Sequence, residues 1–430
     1  MTSDVPPRTE PAGPRRWVWT LVGVAVLALS AAPLVRHYLL DYPAEVWQVD
    51  LEVYRDGAVS VLRGRPVYEW LTGSPQWLPF TYPPFAALLG LPLAVLPFGV
   101  AGWVWTAVQL GLLWLCTGIA FGPFLDRFGR RGPAVQGLVA AVLVWALPVA
   151  EGIRFGQVNA VIVALCLVDV GRRSPGFWPR GVLVGVATAV KLTPGVFWLH
   201  WAVARRWRPL AVSVATTAAV TALTLLLLPT ASAAYWTDAL LDPGRLGPNG
   251  GTSNQSLRGV LLRLWPGGTS LAGPGAGFTP VWVLLVLTVA VLGFAVSRRL
   301  EQQGERVAVV AVVGMLALLM SPVSWVHHMH WGIVVVGALL GDGRRPARVV
   351  AALVTLGALL CRLPWWGVTV LVDGDLPRWF GRLLQNSYSL LAVLSILMLW
   401  LLLVRRRTGV AAPAAVAGSS AVSAHAPSGV

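Results

Sequence analysis

Charge is scarce in this 430-residue chain: 12% of its residues are Asp, Glu, Lys or Arg, about half of the roughly 25% found in soluble domains. With 56% hydrophobic residues and a mean hydropathy of +0.69, that shortage excludes an ordinary soluble protein. Cysteine is scarce too. Cys116, Cys166 and Cys361 each sit inside or at the edge of an apolar run, so they read as small buried hydrophobes and not as a disulfide framework. Acids are outnumbered 18 to 33 by lysine plus arginine. Lysine is almost absent: Lys191 is the one in the chain, and arginine serves everywhere else, as a GC-rich genome favours.

What is present is apolar length. Several runs are about 17–25 residues long, enough to cross a bilayer, and apolar segments recur near 14–35, 84–97, 100–121, 134–150, 157–170, 181–203, 209–229, 280–297, 307–325, 331–341, 349–364 and 385–404. The chain is expected to be an all-α, multi-pass membrane protein with about 12 transmembrane helices. The net charge of +15 does not point to nucleic acid, because the arginines fall in short clusters between apolar runs, such as Arg130-Arg131, Arg172-Arg173 and Arg205-Arg206. That is the pattern of membrane-loop charge. Residues 1–14 read as a disordered cytoplasmic start, 15–407 as a single membrane domain, and 408–430 as a disordered, low-complexity tail. The first span resembles a twin-arginine signal peptide, with small residues near Ala31; because more spans follow, it is expected to stay as an anchor.

Two long polar loops interrupt the spans, at 36–83 and 230–279, and the first holds six of the 18 acids. Arg15-Arg16 and Arg405–Arg407 put both termini inside. Twelve crossings then put both loops outside, but also the basic loops near Arg130 and Arg172, against the positive-inside rule. A re-entrant or split segment between 84 and 203 is therefore expected. No internal repeat is evident.

Several constellations could carry chemistry. In "WQVDLEVYRDGAVSVLRGRPVYE", residues 47–69, helical spacing puts Val53, Tyr54, Gly57, Ala58 and Val61 on one face and Glu52, Arg55, Asp56 and Arg63 towards the other. This is an amphipathic helix for the membrane interface. Asp50 falls on its apolar face, where burial would raise its pKa and suit a general base; alternatively it is the N-cap. Lys191, in "KLTP" with Pro194 beside it, either faces a cavity and neutralises a phosphate or snorkels to the interface. Glu151, Arg154, Gln157 and Asn159 cluster in "EGIRFGQVN", as substrate contacts or as a polar turn with an internal salt bridge. Asn254, Gln255, Ser256 and Arg258 in "GGTSNQSLRG" suit sugar hydroxyls or a phosphate, or form a solvated loop. In "SPVSWVHHMHWG", His327, His328 and His330 fall within four positions. No carboxylate or cysteine stands near them in sequence, so donation to an anionic leaving group is preferred over a metal site or interfacial packing. "DGD" at Asp373–Asp375 has the metal-binding D-x-D form but reads as a loop turn, because no soluble α/β domain carries it.

The stretches "DLEVYRDGA", "TYPPFAALLGLPLAVLP", "GQVNAVIVAL", "AVKLTPGVF", "NQSLRGVLLRL" and "SPVSWVHHMHW" together resemble glycosyltransferase family 87, the polyprenol-phosphate-mannose-dependent mannosyltransferases, over roughly residues 17–404. The resemblance implies a GT-C type fold with its active site on the extracytoplasmic face. It implies inverting, metal-independent transfer of mannose or a related sugar from a polyprenyl-phosphate donor to a cell-envelope glycolipid or polysaccharide, with no cofactor. It places a general base at Asp50, and Tyr82, Lys191, Asn254, Gln255, His327 and His328 also fall on family motifs. His330 and "DGD" do not. Lys191, His327 and His328 would hold the donor phosphate. The rival reading is a transporter or flippase for a lipid-linked saccharide, which would also place charges on broken helices.

Overall fold

The computed structural model describes residues 16–43, 46–172, 177–270 and 273–404. The expected disordered ends, together with Arg15, Glu45, Arg173 and Arg405–Arg407, lie outside the described residues. Among the described residues the ordered structure is helical, with two isolated antiparallel bridges, Leu71 with Pro79 and Asn254 with Trp325. Five helices are long and apolar enough to cross a membrane, Arg16–Asp41, Phe98–Ala120, Trp207–Leu227, Phe278–Gln302 and Ser387–Val404, or seven if two bent pairs each count as one. The chain is a multi-pass membrane protein.

Helices lie along the expected apolar segments, but fewer than the expected 12 are long and apolar enough to cross by themselves, and two of the differences are informative. Residues 84–97 do not form one helix. They split into Pro84–Leu89 and Leu91–Ala94, each under roughly 10 Å long at 1.5 Å per residue. Proline at 83, 84, 92 and 97 removes the backbone donors a longer helix needs. Gly90, between the pieces, lies so close to the first-loop helix that a β-carbon there would stand 2.9 Å from the carbonyl oxygen of Tyr54. The second difference is at 181–203, which breaks into Val182–Val190 and Val196–Val203. Lys191 is extended and Pro194 sits in the short turn that follows.

With these two breaks the basic loops gather at one end of the helix bundle. Arg131 stacks over Trp19 near the start of the first helix, 5.7 Å from the ring, and Arg127 donates to the carbonyl of Asp342. Arg306 donates to the carbonyl of Arg172, and Arg206 pairs with Glu301 at 2.7 Å. All of these lie at one end of the bundle. At the other end are the two long loops, joined where the Arg245 guanidinium donates to the carbonyl of Tyr68 and where the Tyr68 and Tyr235 rings meet at 5.7 Å. The helix Phe278–Gln302 links the ends: Phe278 touches Trp265 of the second loop, and Glu301 holds Arg206.

At the centre stand Arg306–Met320 and Gly332–Leu340, buried on every face along most of their length. A helix apolar all round belongs inside a bundle. The pair carries the histidine segment between them to the end where the two loops meet.

Candidate active site

Asp50 is not a helix cap. The first-loop helix runs Val49–Leu62, its capping position is Gln48, and Asp50 is its second residue. The helix buries Leu51, Val53, Tyr54, Gly57, Ala58 and Ser60, close to the expected apolar face. Asp50 shares that side, and its carboxylate accepts a hydrogen bond from the Gln157 side-chain amide. Burial drives this carboxyl up from its ordinary value to about 6, against the lowering pull of the Gln157 bond and the Lys191 charge. A buried carboxylate near neutrality is equipped to take a proton.

From Asp50 a continuous chain of side chains crosses the site. The Gln157 Oε1 accepts from the Tyr54 hydroxyl at 3.2 Å and from Asn159 Nδ2 at 3.3 Å. Asn159 Oδ1 accepts from Lys191 Nζ at 3.1 Å, and Lys191 Nζ lies 3.0 Å from His328 Nε2. The Tyr54 and Tyr82 hydroxyls are 3.1 Å apart, and Lys191 Nζ stands 5.4 Å from the Tyr82 ring. Lys191 therefore does not snorkel. It ends the helix Val182–Val190 at the break and turns into this cluster.

The histidine segment is a 3-10 helix, Val326–Trp331. Its tighter turn, three residues per turn, stacks His327 and His330 on one side and sends His328 to another. The Trp325 backbone N–H donates to His328 Nδ1 at 3.2 Å, so the neutral ring carries its proton on Nε2. Lys191 Nζ and His328 Nε2–H then face each other as two donors. Unless the amine gives up a proton, that pairing needs an acceptor oxygen within reach of both. His327 differs: its carbonyl accepts from Asn159 Nδ2 at 3.3 Å, its ring packs edge-on against Phe155 and His328, and its buried Nε2 has no protein partner.

Other expected contacts are committed to the protein itself. Glu151 and Arg154 form an internal ion pair at 3.2 Å, and Arg154 stacks over Phe155; of "EGIRFGQVN", only Gln157 and Asn159 enter the cluster. Asn254 Oδ1 accepts from the backbones of Ser256 and Ser324. Gln255 donates to the carbonyls of Thr252 and Gln385 and accepts from Ser389. The Ser256 hydroxyl donates to the Pro322 carbonyl and accepts from the Gly259 N–H. These three clasp the second loop to the strand-like run before the histidines, whereas Arg258 lines a cleft beside it. "DGD" is a helix end: Asp373 closes Leu363–Asp373, and Gly374, at φ +76°, sends its N–H back to Val370. Among the described residues no three His, Cys, Asp or Glu converge as a metal site.

Tyr54 was not singled out from sequence as a site residue. The signal was available, since Tyr54 is four residues after Asp50 and therefore on the same helical face.

Residues 80–322 match the family described as Glycosyltransferase family 87. A mycobacterial protein, the "Polyprenol-phosphate-mannose-dependent alpha-(1-2)-phosphatidylinositol pentamannoside mannosyltransferase" of Mycolicibacterium smegmatis, is 34% identical over 335 residues, covering 74% of this chain and 76% of its own. The "Polyprenol-phosphate-mannose-dependent alpha-(1-2)-phosphatidylinositol mannoside mannosyltransferase" of Mycobacterium tuberculosis is 33% identical over 413 residues, covering 91% of each chain. No solved structure matches the chain. A family match across more than half of the sequence, joined to relatives aligned over most of its length, identifies this protein as a membrane-embedded member of glycosyltransferase family 87.

Proposed function

We propose that this chain transfers mannose from a polyprenyl-phosphate donor to a phosphatidylinositol-mannoside-type glycolipid, inverting the anomeric carbon without a metal. Asp50 takes the proton from the acceptor hydroxyl. That oxygen forms the new bond to the anomeric carbon as the bond to the donor phosphate oxygen breaks. The lipid phosphate leaves with the electron pair, and its growing charge falls to Lys191, His328 and the unpartnered His327 Nε2. Fixed donors aimed at developing charge in a water-poor site are worth more than the same donors in water.

One observation carries this reading: a hydrogen-bonded chain, Asp50–Gln157–Asn159–Lys191, joins a carboxyl poised near neutrality to two facing donors, Lys191 Nζ and His328 Nε2, that lack a shared acceptor. A base at one end and an anion hole at the other is what an inverting displacement needs. Tyr82, Gln157 and Asn159 would line the sugar between them. The active end would face the extracytoplasmic side, because the arginines gather at the opposite end. A transporter has no use for a base wired to an anion site, and the family's members named above are transferases.

The test is an assay of purified protein with radiolabelled polyprenyl-phosphate-mannose and a phosphatidylinositol mannoside. A mannosylated lipid product is expected, unaffected by EDTA. Absence of product, or activity lost to EDTA and restored by Mn²⁺, would overturn the reading.

A further inference from the structure

The second loop holds a cleft that the catalytic chain does not use. Its volume is about 500 Å³, and Gly250, Gly251, Arg258, Leu262, Thr269 and Ser270 are among the residues that line it. Cavities of roughly 300–1,000 Å³ suit small ligands and headgroups. Among the described residues no acidic one lines it. Arg258 is half-buried, its Nη1 is enclosed without a hydrogen-bond partner, and no carboxylate offsets the burial that lowers its hold on the proton. Arg258 is the charged side chain among those that line the cleft, and arginine is the side chain best shaped for phosphate.

The cleft adjoins the proposed leaving-group site. Asn254 bridges to Trp325, whose N–H orients His328. A β-carbon on Gly247, next to the lining, would stand 3.9 Å from the Trp325 ring. The Asn254 amide also donates to the carbonyl of Asn249 at 2.8 Å, fixing the rim. A group held at Arg258 is thus one short segment from the reacting centre, on the same end of the molecule.

We infer that this cleft binds the phosphodiester of the glycolipid acceptor, with Arg258 as its anion contact and the glycine backbone and Thr269 against its polyol. The inference rests on the mannosyltransferase reading and adds where the acceptor's headgroup sits. The cleft would favour phospholipid-anchored mannosides over uncharged ones.

The experiment compares two acceptors at saturating donor, with the full chain in phosphatidylcholine nanodiscs: a phosphatidylinositol mannoside and an alkyl mannoside lacking phosphate. Arg258→Gln should raise KM for the phosphorylated acceptor about 10- to 100-fold, the worth of a charge-assisted hydrogen bond, with KM for the alkyl mannoside and for donor within a few-fold. Arg258→Lys should fall between. Equal changes with both acceptors, or none with either, would overturn the inference. As a check that needs no variant, glycerophosphoinositol should compete with the phosphorylated acceptor on wild-type protein; failure to compete also counts against it. Wild-type protein that mannosylates neither acceptor would instead overturn the mannosyltransferase reading.

Discussion

The first long loop sends its polar side chains across the molecule, whereas the second turns most of its own back on the backbone. Asp50 and Tyr54 reach Gln157, more than a hundred residues away. Asn254, Gln255 and Ser256 instead bind carbonyls and N–H groups of the runs at 322–324 and 385–389. In the sequence both loops present short polar motifs of similar promise. What separates them is whether the hydrogen-bonding capacity is already met. A buried amide whose donors and acceptor are satisfied by backbone is holding structure in place. A carboxylate, an ammonium and an imidazole strung together with donors left over are positioned for a ligand. Among the second loop's exceptions is Arg258, which lines a cleft and has an enclosed and unmet donor.

That contrast can be sharpened by substitution. The largest effect is expected at Asp50. Asp50→Asn should lower kcat by about 10²–10⁴-fold, the usual worth of a positioned general base, with donor binding retained. Its stability should move the other way. A carboxyl raised from 3.8 to about 6 contributes stability that is fully present below pH 4 and lost as pH rises through about 6. At neutral pH the ionised form therefore costs on the order of 1–3 kcal/mol. Asp50→Asn should thus match or exceed wild type in Tm at pH 7.5, checked by thermal unfolding in detergent. A variant that is both inactive and unstable would make Asp50 structural, like the second-loop amides.

Next comes Lys191. Lys191→Ala should slow single-turnover transfer by roughly 30- to 1000-fold, and Lys191→Arg by less, since charge is kept while reach and geometry change. His328→Ala should follow in the same direction. Equal rates in the Ala and Arg variants would remove charge from the explanation.

For the second loop the expectation reverses. Gln255→Ala strands the Ser389 N–H and the Gln385 carbonyl in a buried place, so it should cost about 1–3 kcal/mol of stability. The fraction that remains folded should turn over within a few-fold of wild type, measured as active-site-normalised kcat. A selective loss of kcat at full stability would return Gln255 to the catalytic set. The smallest effect is expected for Trp325→Phe, because it is the backbone N–H of that residue that orients His328. Rates within a few-fold are expected.

Much of the fold was legible in the sequence, because length and hydropathy fix apolar helices strongly. Helices Phe98–Ala120, Trp207–Leu227 and Phe278–Gln302 fall where the runs predicted. The errors came where proline and lysine acted together with tertiary packing. Residues 84–97 are apolar enough to count as a span, yet their prolines chop them into two short pieces. Residues 181–203 are apolar but part at Lys191, which the site draws out of helical geometry. The histidines form a 3-10 turn, which sets His328 beside Lys191 and His327 on a different side. Asp50, Lys191, Gln157 and Asn159 could be named from sequence because charge or amide in an apolar context is expensive. Their order in one chain could not be, since it depends on contacts between residues as far apart as 191 and 328. The same limit hid the difference between the two loops.

The most direct test of the account is the pH dependence of kcat/KM for mannosyl transfer in wild type and in the residual activity of Asp50→Asn. The base must be ionised to act, so wild-type kcat/KM should fall about tenfold per pH unit below an inflection near 6, the value to which burial raises Asp50. The limb should be absent from Asp50→Asn and should move to higher pH in Gln157→Ala, which loses the bond that favours the carboxylate. An acid limb near pH 6 that persists unchanged in Asp50→Asn would contradict the assignment of Asp50 as the base.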